Sequence, residues 1–230
     1  MVKNADVVVG YRLYLDLVGD LIPAEDRREY GLGQETERVY EALNLAAEGK
    51  SVALVCSGDA GIYALASLVY EAVEASDNPA WRRLDIAVTP GISAMQAAAA
   101  RAGAPLGHDF CAISLSDLLT PREVILRRLE AAATGDFVTA LYNPQSKSRR
   151  DLLDRAHKIF SAHRSPTTPV IVARNLGRHD ENVSIIELAE LDTTTVDMLT
   201  VLIFGNSETR SIPTGNGPRV YTPRGYRGKR

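Results

Sequence analysis

One stretch constrains the fold of this chain more than any other: Ser51 to Ala64, with the sequence SVALVCSGDAGIYA. The apolar run 52–55 predicts a buried strand, and the glycine-bearing turn 57–61 ends it before apolar residues resume at helical spacing. Small ligands bind an open α/β sheet at the carboxyl ends of its strands, so this turn is a candidate ligand site. Such a turn is also common structural punctuation, and taken alone it does not decide between the two interpretations.

A second turn repeats this pattern further along the chain. Leu84 to Val88 predicts a short strand, which the turn TPGISA at 89–94 joins to an alanine-rich helix ending near Gly103. Successive strand–turn–helix units predict a parallel sheet with right-handed crossovers. The other elements predicted in this half are a strand over 5–10, a helix fragment and loop over 11–33, a helix over 35–48 and a helix over 60–75.

The run Gly103-Ala104-Pro105-Leu106-Gly107 is the best candidate for an interdomain linker, because glycine and proline fill three of its five positions. We therefore expect an N-terminal α/β domain over 1–107, a C-terminal α/β domain with a mixed sheet over 108–210, and an irregular basic tail over 211–230. The elements predicted after the linker are strands over 110–115, 136–142, 169–174, 182–186 and 198–204, and helices over 121–133 and 148–162.

Charge and composition exclude several classes of function. The net charge is −3, from 26 basic and 29 acidic residues. Five basic residues are concentrated at the C-terminal end, which leaves an acidic body that argues against a general nucleic-acid binder: Arg219, Arg224, Arg227, Lys229 and Arg230. Neither a membrane-length apolar run nor a signal-peptide pattern is present, so we expect a cytoplasmic protein without membrane association. Cys56 and Cys111 lack CxxC spacing, and no disulfide or metal site is predicted.

The residues that could carry chemistry lie in turns that follow apolar strands. A Walker loop, an HExxH motif and a GxGxxG motif are absent from the sequence, which disfavours the commonest NTPase, metalloprotease and dinucleotide-binding interpretations. Turns such as 57–59, 90–94, 141–144 and 174–175 would gather backbone amides at one sheet edge, a surface suited to an adenosine-like ligand. Asp59 could bind a ribose hydroxyl or an ammonium group, or cap the following helix.

Four long strings bring a family into view: VCSGDAGIYALA at 55–66, TPGISAMQAAAARAGAPLGHDFCAISLSDLLTP at 89–121, ALYNPQSKSRRDLL at 140–153 and VARNLGR at 172–178. Together they resemble the class III, tetrapyrrole-type S-adenosylmethionine methyltransferases, and among these the precorrin-3B C(17)-methyltransferases of cobalamin biosynthesis. The resemblance covers nearly all of residues 4–210. It implies a homodimer of two αβα domains with S-adenosyl-L-methionine in the cleft between them.

The resemblance also implies roles for individual residues. The expected cofactor contacts, which would also hold the product S-adenosyl-L-homocysteine, are Ser57, Gly58, Asp59, Ile62, Ser93, Ala94, Tyr142, Asn143, Arg174, Asn175 and Thr200. The implied reaction moves the sulfonium methyl group to carbon 17 of precorrin-3B, or its cobalt form, with ring contraction. Polar groups just past strand ends are the candidates for acid–base catalysis: Asp117, Ser114 and Tyr11. The candidates for binding the many carboxylates of the tetrapyrrole are Tyr14, Ser116, Lys147 and Arg149.

The sequence departs from the family pattern at its start. Family members begin with a strand and a Gly-x-Gly-Pro-Gly turn, so the resemblance implies that the first strand of the N-terminal domain is missing here. A start codon placed too late, trimming of the chain, or an impaired homologue would each account for this. The alternatives that stay open are an enzyme like diphthine synthase, an enzyme like the RNA 2′-O-methyltransferases, and a non-catalytic tetrapyrrole-binding homologue.

Overall fold

The computed structural model describes residues 2–22, 26–145 and 151–226. The chain forms two compact units, Met1–Ser93 and Ala94–Arg230, each built from helices and strands, which confirms the α/β class. The division falls before the linker expected at 103–107, because the helix that follows Ser93 packs Met95 and Ala98 into the core of the second unit. Within the described ranges, no helix is long and apolar enough to cross a membrane.

The first unit has a three-stranded parallel sheet in the order β2-β1-β3. Its elements are β1 Val7–Tyr11, α1 Arg12–Val18, β2 Arg27–Tyr30, α2 Glu35–Ala47, β3 Val52–Val55 and α3 Ala66–Ala75. The central strand β1 carries Val7, Val8 and Val9, which are all buried, as expected for a parallel strand covered on both faces. Strand β3 confirms the strand predicted at 52–55.

For residues 11–33 the predicted helix fragment is confirmed by α1, but strand β2 corrects the prediction that the rest is loop. Its sequence, RREY, has no apolar alternation, so hydrophobic periodicity could not reveal it. The strand instead pairs in parallel with β1, and Arg27 forms ion pairs with Asp16 and Glu29. Hydrogen bonds to the backbone of β1 and ion pairs between side chains therefore stabilise this strand, in place of the burial of apolar side chains.

Two further predictions in this unit are wrong. Residues 84–88 have no strand partner among the described residues. Leu84 and Ile86 pack against a core that includes Trp81, so the alternation of apolar and polar residues here reflects side-chain packing without strand pairing. The helix predicted from Ala60 begins only at Ala66. Gly58 has φ of 77° and Tyr63 has φ of 51°, and residues in this left-handed region cannot belong to a right-handed helix.

The second unit has a five-stranded mixed sheet in the order β5-β6-β9-β7-β8, which confirms the mixed sheet predicted there. Its elements are α4 Ala94–Ala102, β4 Gly103–Ala104, β5 Phe110–Ser114, α5 Arg122–Thr134, β6 Val138–Tyr142, α6 Asp151–His163, β7 Pro169–Arg174, β8 Asn182–Glu187, β9 Thr200–Phe204, β10 Arg210–Thr214 and β11 Gly217–Tyr221. Alternate side chains of each strand enter two different cores, one against α5 and α6 and one against α4.

Strands β10 and β11 correct the expectation of an irregular tail after residue 210. They form an antiparallel hairpin, and β11 also pairs in parallel with β4. Gly103 allows the close approach, since it has φ of 137° and a Cβ there would lie 2.3 Å from the carbonyl oxygen of Val220. The segment that follows is fixed by Thr222, whose hydroxyl donates to the carbonyl of Pro105 at 2.7 Å.

Thr222→Val should lower the free energy of unfolding by about 1–3 kcal/mol, because a buried carbonyl loses its donor. Thr222 is 3% exposed and also lies 2.9 Å, oxygen to oxygen, from the hydroxyl of Thr209. Urea denaturation measures the change, with Ser211→Ala on the exposed hairpin as the control. Equal stabilities of the two variants would mean that the hydroxyl of Thr222 does not hold the C-terminal segment in place.

Candidate functional site

In the first unit, Asp59 joins the two glycine turns that the sequence singles out. Its two carboxylate oxygens accept backbone N–H groups from different turns, Oδ1 from Gly61 at 2.8 Å and Oδ2 from Gly91 at 3.0 Å. The hydrogen bond from Gly91, followed by that from Gly61, holds the pKa of the Asp59 carboxyl below its usual range. Asp59 is therefore a charged link between 57–61 and 89–93, and the helix-cap alternative is wrong because α3 begins seven residues later, at Ala66.

The two turns touch at Gly58 and Gly91. A Cβ built on Gly91 would lie 2.0 Å from the carbonyl oxygen of Gly58, so only glycine fits without moving the backbone. The same turn brings the Cα of Ser93 within 3.6 Å of a Cβ built on Gly58. The structure thus brings together Ser57, Gly58, Asp59 and Ser93 of the predicted cofactor set. Ile62 belongs to the same turn, because its N–H donates to the carbonyl of Asp59.

In the second unit, the predicted residues converge on one edge of the five-stranded sheet. Strands β5, β6 and β7 run in the same direction and end at this edge, with Ser114, Tyr142 and Arg174 as their last residues. The antiparallel strand β9 begins there with Thr200, directly opposite Arg174. This is the carboxyl edge of the parallel strands, where ligands of α/β sheets bind.

At this edge Tyr142 contacts the start of α4. Its hydroxyl accepts a hydrogen bond from the backbone N–H of Met95 at 2.9 Å. Ala94, another predicted cofactor contact, is the first residue of that helix. The first turn of a helix leaves backbone N–H groups without partners inside the helix, so the tyrosine satisfies one of them.

A small polar network links the ends of β5 and β6. The hydroxyl oxygen of Ser114 accepts hydrogen bonds from Nδ2 of Asn143 at 3.0 Å and from the backbone N–H of Ser116 at 3.2 Å. Asn143 has φ of 50°, a left-handed conformation that asparagine adopts more readily than most residues. Asp117 follows directly and is half-buried.

The ends of β7 and β9 carry a network of opposite charges. Arg174 donates from Nε to Asp197 at 2.8 Å and from Nη1 to Asp180 at 3.2 Å. Asp197 also accepts from the hydroxyl of Thr200 at 2.8 Å, and Asp180 accepts from Nδ2 of Asn175 at 2.7 Å. Both the guanidinium of Arg174 and the hydroxyl of Thr200 are therefore held by carboxylates.

Asn175 leaves one polar atom of this network unpaired. The residue is 6% exposed, and its Oδ1 is a buried acceptor with no donor among the residues that the structure describes. Its φ of 54° again lies in the left-handed region. A buried acceptor without a donor costs free energy, so this oxygen is a candidate contact for a ligand N–H group.

The remaining predicted residues lie elsewhere or outside the described part. Tyr11 ends β1 and Tyr14 lies in α1, where their rings pack edge to face with centroids 5.1 Å apart. Lys147 and Arg149 fall outside the described residues. Cys56 and Cys111 are half-buried, and burial raises the pKa of both thiols, which keeps them protonated at neutral pH.

Sequence reasoning missed the residues that position others: Gly91, Asp180 and Asp197. Gly91 stood in a recognised turn, but its contact with Gly58 joins positions 33 apart in the sequence and leaves no local signal. Asp197 lies between the strands predicted over 182–186 and 198–204, where the sequence predicts no element. No local pattern pairs Arg174 with Asp197, because the two residues lie 23 positions apart in the sequence.

Acid should weaken the fold through these carboxylates. Hydrogen bonds from Asn175, with a smaller contribution from Arg174, lower the pKa of Asp180; at Asp197 burial acts in the opposite direction, but bonds from Arg174, Thr200 and Leu199 outweigh it and lower the pKa. A folded pKa below the unfolded one contributes stability that is complete above the unfolded value and lost as pH falls through the folded value. The free energy of unfolding should thus fall from about pH 4 downward.

Urea denaturation over this pH range measures the loss. Asp197→Asn should flatten the dependence, because the amide cannot titrate, whereas Asp85→Asn on an exposed segment should leave it as in the wild type. The explanation is contradicted if Asp197→Asn and Asp85→Asn have the same acid dependence.

Comparison with known proteins defines the class of protein to which this fold and these turns belong. The family model of the tetrapyrrole (corrin/porphyrin) methylases matches residues 1–192. The chain belongs to this family, and the predicted resemblance is confirmed.

Two relatives and one solved structure show which members of the family the chain is similar to. The chain is 45% identical over 229 residues to a precorrin-3B C(17)-methyltransferase of a Sinorhizobium species, covering 99% of this chain and 89% of the relative. It is 43% identical over 226 residues to a Salmonella typhimurium protein described as a probable cobalt-factor III C(17)-methyltransferase, covering 97% and 90% of the two chains. The crystal structure of the methyltransferase CobJ superimposes with a TM-score of 0.86 at 42% identity, covering 95% of this chain and 89% of that one.

Proposed function

We propose that this protein is an S-adenosylmethionine-dependent C-methyltransferase of cobalamin biosynthesis, which methylates carbon 17 of precorrin-3B or of its cobalt form and contracts the ring. The observation that carries the proposal is the 45% identity to a precorrin-3B C(17)-methyltransferase over nearly the whole chain. The second relative is named for a cobalt-containing substrate, so both forms of the tetrapyrrole are candidates.

The residues present fit an adenosine-containing cofactor. The unpaired Oδ1 of Asn175 is the kind of acceptor that an adenine amino group satisfies. The turn at 57–59 exposes Ser57 and Gly58, and glycine allows a ligand to approach the backbone closely. We propose that this turn, Ser93, Tyr142 and Asn175 hold the cofactor, and that Asp59 acts by fixing the turn.

The chain's own task in the reaction is positioning. The cofactor supplies a methyl group on a cationic sulfonium, which is already a good electrophile, so no nucleophilic side chain is required. Asp59 and Gly91 keep the two turns of the first unit in one arrangement, and Asp180 and Asp197 do the same for Arg174 and Asn175. Rigid, prearranged groups reduce the entropy lost when the reactants are aligned.

Substrate recognition is proposed to use polar groups and cations. Precorrins carry many carboxylates, which suits Lys147 and Arg149 as anion partners and Ser116 and Tyr14 as hydrogen-bond donors. We further propose a cytoplasmic homodimer, as the family resemblance implies. The alternatives resembling diphthine synthase and RNA methyltransferases are less well supported, because the near full-length relatives described above are named for C(17) methylation.

Calorimetric titration with S-adenosylhomocysteine tests the cofactor proposal. We expect one binding site per chain with a dissociation constant in the micromolar range, which corresponds to a binding free energy of about −8 kcal/mol. Such an affinity is typical of cofactors that must leave after turnover. Asn175→Ala should weaken binding roughly tenfold through loss of the buried acceptor. An absence of binding by the wild-type chain would contradict the methyltransferase function, and an unchanged affinity in Asn175→Ala would contradict the role of Asn175 alone.

A further inference from the structure

The polar network at the ends of β5 and β6 determines whether the hydroxyl group of Ser114 can donate or accept a further hydrogen bond. Ser114 is the last residue of β5, and its backbone pairs with Tyr142, the residue before Asn143. The hydroxyl oxygen accepts one hydrogen bond from the side chain of Asn143 and one from the backbone of Ser116. Asn143 is the first residue after β6, and Ser116 is the second residue after β5.

A serine hydroxyl has two acceptor lone pairs and one donor hydrogen. At Ser114 both lone pairs are occupied, and no acceptor for the O–H group is found in the part of the chain that the structure describes. The hydroxyl can therefore donate a hydrogen bond, but it cannot accept a proton or a third donor without breaking an existing bond. This geometry favours a donor role over the role of general base.

The backbone of Asn143 supports this arrangement. Its φ of 50° is a conformation that costs free energy for residues other than glycine and is tolerated best by asparagine and aspartate. In this conformation its amide lies within hydrogen-bond distance of Ser114, so the strained residue and the bond to the hydroxyl occur together. Among the described residues, Nδ2 of Asn143 has Ser114 as its hydrogen-bond partner.

We propose that Asn143 is a positioning residue for the tetrapyrrole rather than a cofactor contact: it holds the Ser114 hydroxyl as a hydrogen-bond donor to an oxygen atom of the substrate. This inference rests on the proposed function, since it requires an oxygen-bearing substrate at the carboxyl edge of the sheet. It replaces the cofactor role expected for Asn143 and limits Ser114 to donation.

The test exchanges donor and acceptor in the hydrogen bond between residue 143 and Ser114. In Asn143→Asp the ionised carboxylate can only accept, so the Ser114 hydroxyl turns toward it and no longer donates to the substrate. Ser114→Ala and Asn143→Asp should each lower kcat/KM for the tetrapyrrole by roughly ten- to a hundredfold, and the double variant should lose no more than either one. The dissociation constant for S-adenosylhomocysteine should change by less than about twofold.

A pH profile distinguishes positioning from general damage. Protonation of the new aspartate restores a donor toward Ser114, so the activity of Asn143→Asp relative to wild type should rise as pH falls toward the carboxyl pKa, near 4. Asn78→Asp is the matched control: it adds the same charge on an exposed loop, where Oδ1 of Asn78 accepts from the N–H of Ala80 and an aspartate can do the same. It should behave as wild type at every pH.

Four outcomes would overturn the inference. Additive losses in the double variant, or S-adenosylhomocysteine binding weakened about tenfold in Asn143→Asp, would return Asn143 to the cofactor site. Unchanged activity in Ser114→Ala would remove the donor role. If the wild-type chain binds neither S-adenosylhomocysteine nor the tetrapyrrole, as judged by the visible absorbance of the macrocycle, the proposed function fails and the inference fails with it.

Discussion

Gly91→Ala is expected to weaken the binding of S-adenosylhomocysteine by roughly ten- to a hundredfold while leaving the second unit folded. The added Cβ would lie 2.0 Å from the carbonyl oxygen of Gly58 and 3.0 Å from its carbonyl carbon, and both are backbone atoms that cannot rotate away. The turns must therefore separate, which also weakens the hydrogen bond from Gly91 to Asp59. Overpacking of this kind costs about 1–3 kcal/mol, enough to displace a loop that binds through its backbone.

Calorimetry measures the binding, and circular dichroism reports whether the variant is folded. Gly215→Ala is the matched control, because nothing lies within 4 Å of a Cβ at that position. If Gly91→Ala binds S-adenosylhomocysteine as tightly as Gly215→Ala, the turn at 89–93 does not contribute to the cofactor site.

Asp59→Ala is expected to weaken cofactor binding by roughly a hundredfold, and Asp59→Asn by roughly tenfold. Alanine removes both acceptors that join the turns, whereas the asparagine side chain keeps one oxygen and presents an N–H₂ group to the second backbone donor. The order of the two variants thus reflects the number of backbone N–H groups that lose their partner.

Proteolysis of the same variants tests whether Asp59 acts by fixing the turn. If Asp59 fixes the turn, then both variants should also make the first unit more susceptible to proteolysis within 57–61, and Asp77→Ala on an exposed loop should not. Should Asp59→Asn bind less tightly than Asp59→Ala with no change in proteolysis, Asp59 would contact the cofactor directly and its bonds to the two turns would be incidental.

Elements with strong apolar periodicity could be predicted from the sequence. Strands β3 and β7 and helix α2 lie within a residue of the predicted bounds, because each buries a regular set of apolar side chains. Strand β2 could not be predicted, since its charged side chains are stabilised by pairing with β1. The hairpin β10–β11 was missed for a similar reason: all residues of β10 are exposed, and its pairing with β11 forms it.

The candidate site likewise contains features that could be predicted from the sequence and features that could not. The break in an apolar run predicted the turn around Asp59, and the sheet edge together with the family resemblance led to the proposal that this turn belongs to a ligand site. The partners of Asp59 and Arg174 could not be predicted, because the sequence does not record which loops meet in space. Gly91 and Asp197 acquire their roles only through contacts across 32 and 23 positions.

The central claim is that this chain transfers a methyl group to carbon 17 of a precorrin. Incubation with methyl-labelled S-adenosylmethionine and either precorrin-3B or its cobalt form, followed by mass spectrometry and NMR of the product, tests it most directly. The proposed function predicts a product that carries one additional labelled methyl group at carbon 17 and formation of S-adenosylhomocysteine in equal amount. Tight binding of S-adenosylhomocysteine with no methylated product from either tetrapyrrole, or a label at another carbon, would contradict it.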